Sequence, residues 1–358
     1  MLRILDRYIL KKFLSSFVFV VTIIVSVVCI IDLTEKNEKF IRNDLTAQEI
    51  LGYYMDFFPY VANLIMPITV FIATVFITAK MAAHTEIIAM LSSGLSFTRL
   101  MWPYLVGSLI IAGFSFYMNG WVIPNSNKSR VAFEVEYLEK PHVFNERNIH
   151  IKIAPELYLY MQSYQNTINV GYKFSLEKIS ENKVQEKLDA TQIIWLDEEE
   201  QWRLKNWKLR KFQGYEEMIE TGTEMDTLIN LHPKDFANSY RLYETFTIPE
   251  LNSYIADLRE RGADDIEAYL IEKYIRFTSP FTVIILTFIG LIVSARKSRG
   301  GAGFQIALGF MIAFIFIILF IFSRSIAEAG AINPAIAVWI PNIIFSLVGL
   351  LLYKTIPR

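Results

Sequence analysis

Residues 13–33 read FLSSFVFVVTIIVSVVCIIDL, an apolar run with no charge before Asp32. At a rise of about 1.5 Å per residue, such a run spans a hydrocarbon core roughly 30 Å thick. Lipid offers a backbone amide no hydrogen-bonding partner, so an unbroken run without period-two alternation crosses as a helix rather than as a barrel strand. Five further runs of 19 or more residues follow, at 57–79, 101–123, 277–295, 302–323 and 335–353. The pattern predicts a polytopic α-helical membrane protein with six transmembrane helices. They form two triplets around a polar insert of 150 residues, giving segments 1–123, 124–273 and 274–358. Pro67 lies inside the second run, where its missing amide and its ring predict a kink. Pro59, Pro103, Pro280 and Pro341 lie near ends or in first turns, where a missing amide costs little.

Charge sets the expected orientation. Arg3, Arg7, Lys11, Lys12, Lys80, Arg99, Arg296, Lys297, Arg299, Lys354 and Arg358 all fall on one side, with only Asp6 and Glu86 as acids among them. The excess of Lys and Arg marks that side as cytoplasmic, so both chain ends are expected there. The insert carries 19 Lys and Arg against 27 Asp and Glu, while the rest of the chain carries 16 against 9, a split hidden by the net charge of −1. The acidic insert is expected on the opposite, outward side. Hydrophobic residues make up 53% of the chain and mean hydropathy is +0.33, values that belong to a membrane protein carrying a soluble module. The first run is too long for a signal-peptide core and is expected to be retained as an anchor. A single cysteine, Cys29, excludes an intramolecular disulfide or a thiolate cluster.

Within the insert, apolar residues alternate with polar ones. Ile149, Ile151 and Ile153 are followed by Leu157, Leu159 and Met161, then by Tyr172, Phe174 and Leu176, and two further runs flank the acidic turn at 197–200. This is the signature of antiparallel strands with one buried face. A jelly-roll-like all-β domain of roughly eight strands is expected over 144–231. Trp202, Leu204, Trp207 and Leu209 break the alternation at Lys205-Asn206, which predicts a bulge or a bend. Thr247, Pro249 and Glu250 predict a helix start of capping-box type, with Ile248, Leu251, Ile255 and Leu258 as its apolar stripe and Gly262 as its stop; Asp264 starts the next helix. That helix reads either as a lever between module and spans or as a packed connector.

Between the second and third spans lies a segment of a different kind, KMAAHTEIIAMLSSGLSFTR over 80–99, with a short helix expected over 84–94. Gly94 suits a left-handed cap and Ser96 can cap the next span. The apolar side, Ile87, Ile88, Met90 and Leu91, needs a surface to dock on, because an isolated helix below about 12 residues is marginal in water. Lipid, the other spans or a partner could each supply it.

The string TEIIAMLSSGLS from Thr85, the opening Leu5-Asp6-Arg7-Tyr8-Ile9, and three spans on either side of a β-rich module together resemble the lipopolysaccharide-export permeases, the LptF/LptG family, with an opening string somewhat more LptG-like. The resemblance covers essentially the whole chain. It implies that the short helix is a coupling helix seated in a groove of a cytoplasmic LptB-type ATPase dimer, which binds ATP and Mg. Glu86 would then pair with an ATPase arginine, and Ala89, Met90 and Gly94 would supply close apolar contact; the residue alone reads equally as a solvated acid. It also implies a second LptF/LptG permease, LptC-type and LptA-type periplasmic jelly-roll proteins, and lipopolysaccharide as substrate. Lys36, Lys39 and Arg42 stand at spacings of three along an extended first helix, and Arg324 lies at the outer end of the fifth span. The resemblance places these four in the substrate path, where they meet lipid A phosphates. Without it they read as residues snorkelling to the interface.

No Gly-x-x-x-x-Gly-Lys-Ser/Thr string occurs, so energy is expected from a partner and no cofactor is expected in this chain. Gly300-Gly301-Ala302-Gly303 reads as a flexible turn. His84, His142, His150 and His232 are scattered, no zinc spacing or catalytic elbow is found, and neither a catalytic role nor a nucleic-acid partner is expected. The competing readings are a permease of the lipoprotein-release or macrolide type, an envelope-lipid enzyme, and a scaffold. The first of these places its outer domain after the first of four spans, unlike the arrangement here.

Overall fold

A computed structural model describes residues 4–138, 147–154, 156–165, 168–180, 183–197, 199–213, 216–229, 231, 233, 241–261, 266–295 and 301–354. Gly262, Asp264 and the basic loop at 296–299 lie outside them. The chain divides into two compact units, one formed by 1–138, 243–252 and 267–358, the other by 139–242 and 253–266.

The first unit is helical. Helices α1 (Ile4–Arg42), α2 (Ala47–Leu64), α3 (Met66–Ala83), α4 (Glu86–Ser92) and α5 (Phe97–Tyr117) follow in order, and a π turn leads into α6 (Ile123–Phe133) and a second π turn ending at Leu138. After the insert, α8 (Ile266–Ser294), α9 (Gly301–Glu328) and α10 (Pro334–Lys354) complete it. Among the described residues, six helical segments are long and apolar enough to cross a membrane. The second run is broken at Ile65 between α2 and α3, with Pro67 in the first turn of α3, where a missing N–H is tolerated. The third run does not stop at Ile123: helix continues to Leu138, and the first described strand begins at Arg147. Buried residues on both sides of the packing, among them Val131 and Leu138, explain how a polar stretch stays helical.

Central and peripheral spans are distinct. In α3, 67% of the apolar window is buried and in α8 56%, whereas α1 buries 6% and α9 22%. Phe13 of α1, Val70 and Met81 of α3, Tyr104 of α5 and Val283 of α8 share one core. Phe71 and Val75 of α3, Leu286 of α8, Phe316 of α9 and Phe345 of α10 share another. α3 and α8 thus belong to both.

The second unit contains a six-stranded antiparallel sheet, β1 (Arg147–Ala154), β2 (Leu157–Gln165), β3 (Val170–Ser180), β4 (Lys183–Leu196), β5 (Gln201–Gln213) and β6 (Glu216–Thr227), paired in chain order. Six strands, where roughly eight were expected, use the same length of chain because β3 to β6 run to 11–14 residues. Leu159, Met161, Phe174, Ile193, Trp202 and Leu204 are buried together, and Trp202 donates its indole N–H to the Leu231 carbonyl at 2.7 Å. The broken alternation at Lys205-Asn206 is a bend without an inserted residue. Asn206 has φ 49°, and the register runs unshifted from Gln192 opposite Lys205 to Ala190 opposite Trp207.

Helix α7 (Ile248–Arg261) begins as expected, with the Glu250 carboxylate accepting from the Thr247 amide and hydroxyl, both at 2.8 Å. Leu251, Ile255 and Leu258 are buried.

Candidate functional site

The turn after α3 is made by Thr85, with φ 59°, and the turn after α4 by Gly94, with φ 89°. The latter is the left-handed cap expected of glycine. Ser96 then caps α5, accepting from the Arg99 amide at 3.3 Å. With only seven residues, α4 lacks intrinsic stability. Ile87, 1% exposed, anchors it in the core that contains Phe13 and Met81, with Met90 half-buried against the same cluster. Ile88, Ala89, Leu91 and Gly94 are exposed. The apolar side is therefore split: one residue is docked and others remain uncovered within this chain.

Glu86 is held by α1. Its Oε2 accepts from Lys12 Nζ at 3.1 Å and from the Tyr8 hydroxyl at 3.0 Å, and its Oε1 accepts from Lys12 at 3.2 Å. Lys12 also lies 4.2 Å from the centre of the Tyr8 ring. One turn below, Arg99 of α5 donates to the buried Asp6. Two ion pairs thus fasten the start of α1 to α4 and to the start of α5. This acid is a partnered group with both oxygens engaged, not an isolated surface charge.

The four basic residues fall in different surroundings. Continuous helix through Arg42 puts Lys36, Lys39 and Arg42 on one helix as their spacing requires. Lys36 is turned toward α2, 2.8 Å from Asp32 and donating to the Tyr53 hydroxyl at 2.6 Å, near the Tyr53 and Phe57 rings. Lys39 is exposed and donates to the Leu138 carbonyl at 2.5 Å, while Arg42 is exposed. Arg324, near the end of α9, donates to Glu328 at 2.7 Å.

Lys36 opens a buried network that the sequence reading missed. Tyr53, accepting from Lys36, donates to Glu134 at 3.1 Å. Glu134 accepts from Arg130, which is 0% exposed and spends its other donors on Asn127 at 2.9 Å and Glu244 at 2.5 Å. The guanidinium lies 4.0 Å from the centre of the Tyr60 ring. Buried charges persist only when paired and hydrogen-bonded. Here one chain of contacts runs from Asp32 on α1 to Glu244, which lies beyond the sheet in sequence and belongs to the helical unit. The available signal was the four-residue spacing of Arg130 and Glu134, which equally describes a solvated helix face.

A second buried guanidinium, that of Arg276 on α8, donates to the carbonyls of Phe246 and Tyr243 at 2.6 and 3.1 Å and to Glu272 at 2.9 Å. It fixes the returning chain to the helix that follows. Among the described residues no cluster of His, Cys, Asp or Glu could hold a metal ion.

The family model described as Lipopolysaccharide export system permease LptF/LptG matches residues 7–355, nearly the whole length. The chain belongs to that family. No curated protein matches it individually. As an LptF/LptG member it is a multi-span permease subunit of lipopolysaccharide export, a transport protein and not itself an enzyme. Its six candidate spans and inserted antiparallel sheet are in keeping with that membership.

Proposed function

We propose that this permease works in the bacterial inner membrane, with both chain ends and α4 in the cytoplasm and the sheet unit in the periplasm, extracting lipopolysaccharide under the drive of an LptB-type ATPase dimer. The observation that carries the reading is α4: a helix too short to stand alone, anchored by Ile87, with Ile88, Ala89 and Leu91 left uncovered beside the Glu86 carboxylate. An apolar patch next to a helix-start acid offers a partner both desolvated contact and a charge-assisted bond to arginine. Ala89, Met90 and Gly94 line that contact. ATP and Mg belong to the ATPase, and this chain holds no cofactor.

The sparsely buried α1 and α9 support a lateral opening that a second LptF/LptG permease closes, so that two half-cavities enclose the acyl chains. Lys36, Lys39, Arg42 and Arg324 meet lipid A phosphates at the outer end. Lys39 and Arg42, exposed, make the first contacts; Lys36 reaches a phosphate only by leaving Asp32 and Tyr53. The lipid then passes to the sheet unit and on to LptC-type and LptA-type jelly rolls. Copurification tests the reading: the solubilised complex should contain an ATPase, a second permease and lipopolysaccharide, and Leu91→Glu should remove the ATPase while leaving the permease pair. Retention of the ATPase by that variant overturns it.

A further inference from the structure

A cavity of about 510 Å³ lies between α5, α8 and α10, away from α1, the basic residues and the exposed side of α4. Its walls are apolar: Trp102 and Leu105 from α5, Ile285 and Phe288 from α8, and Leu350 from α10. Thr98 and Tyr353 lie at its shallow end, where α5 begins and α10 finishes. Seven residues separate Thr98 from Leu105, about 10 Å along the helix axis. The cavity thus occupies one half of the bundle's depth and stops.

That shape discriminates between occupants. A partner helix with its side chains is about 10–12 Å across and has to continue across the bilayer, whereas this groove ends after about 10 Å of depth. The groove is too short to seat one along its length. Methylene chains entering from the end near Thr98 and Tyr353 suit an apolar groove confined to one half of the bilayer, because they need not be enclosed along their whole length. Gly349 helps keep the wall thin: a Cβ there would stand 3.2 Å from Ile289, tighter than ordinary contact.

Charge at the mouth selects the headgroup. Lys354, next to Tyr353, is exposed and has no acidic partner among the described residues. Thr98 and the first-turn amides of α5 lie on the same side, at the positive end of that helix.

We propose that this groove is a resident phospholipid site: one anionic glycerophospholipid of the leaflet on the side of the chain ends, with its acyl chains between α5, α8 and α10 and its phosphate near Lys354 and Thr98. The site is independent of the export substrate, so its failure leaves the export reading untouched.

The test uses the purified full-length protein, exchanged repeatedly in detergent, with bound lipid quantified by mass spectrometry. Native protein should retain about one phospholipid per chain, enriched in phosphatidylglycerol over the membrane from which it came. Ser346→Trp, which fills the groove, should lower retention at least fivefold, and Lys354→Gln should abolish the anionic enrichment. Equal retention in Ser346→Trp, or a composition matching the bulk membrane, would mean annular lipid only and overturn the proposal. A photo-crosslinking residue in place of Leu350 gives a second readout that needs no filled groove: an adduct with phospholipid supports the site, and an adduct with a polypeptide overturns it.

Discussion

Lys12 Nζ of the first helix sits 3.1 Å from Glu86 Oε2 of α4, the short helix between the second and third spans. The pair joins a span that buries little of its apolar surface to the segment proposed to meet the ATPase. An arginine arriving at Glu86 must share that carboxylate with Lys12 or displace it, so ATPase movement reaches α1 directly. Both groups are about a third exposed, and such pairs contribute at most about 1 kcal/mol. Lys12→Ala should therefore leave thermal stability nearly unchanged and still copurify with ATPase, yet hydrolyse ATP with little lipid release. Glu86→Lys should lose the ATPase at least tenfold on copurification. Equal coupling efficiency in Lys12→Ala and native protein rejects the link.

The buried Arg130 network makes a stability prediction. Substituting Arg130 by Met leaves Glu134 and Glu244 without their buried cation, a loss of about 3–5 kcal/mol. Tyr53→Phe removes one hydroxyl between Lys36 and Glu134 and should cost about 1–3 kcal/mol. Thermal inactivation of the detergent-purified variants checks the order; an Arg130→Met protein as stable as Tyr53→Phe contradicts the network.

Close packing of α1 on α5 rests on Gly107. A Cβ at this position would lie 2.5 Å from Cδ1 and 2.7 Å from Cε1 of Phe13, a ring that is fully buried and tilted against Tyr104. Gly107→Ala should lower stability by about 1–3 kcal/mol through overpacking. Gly113→Ala, with open space around it, should change stability little and serves as the matched control.

Acidification should weaken the start of α7. The Thr247 amide, then the Thr247 hydroxyl, then Lys128 hold the Glu250 carboxyl below the usual carboxylate range. A group with a depressed folded pKa stabilises fully above its unfolded value, about 4.3 for Glu, and loses that contribution as pH falls through the folded value. Glu250→Gln should therefore resemble the native protein at low pH and fall below it near neutrality. Hydrogen exchange of the amides of the first turn of α7 between pH 3 and pH 7 reads this out. The effect is small, because the side chain is nearly half exposed.

The six spans were legible because nothing else in a chain produces runs of 19 apolar residues, and the break before Pro67 followed from its missing amide. The extension to Leu138 was not legible. Hydropathy falls after Ile123, and helix persists there through the pairing of Arg130 with Glu134 one turn on and with Glu244, which is far away in sequence. Alternation revealed the strands, but a count from usual strand lengths exceeded the six described, because β3 to β6 run to 11–14 residues. Spacing put Lys36, Lys39 and Arg42 on one helix; it did not reveal that Asp32, lying inside the first apolar run, and Tyr53, on another helix, hold Lys36. Glu86 was recognisable as a helix-start acid, while its tie to Tyr8 and Lys12 depends on how α1 packs.

The central claim is ATP-driven extraction of lipopolysaccharide through this permease, and proteoliposomes holding the copurified complex test it most directly. With labelled lipopolysaccharide in the bilayer and a soluble LptA-type acceptor outside, adding ATP and Mg should transfer label to the acceptor in native complex and far less in Lys12→Ala, which keeps its ATPase. Transfer that proceeds equally without ATP, or equally in that variant, would contradict the account.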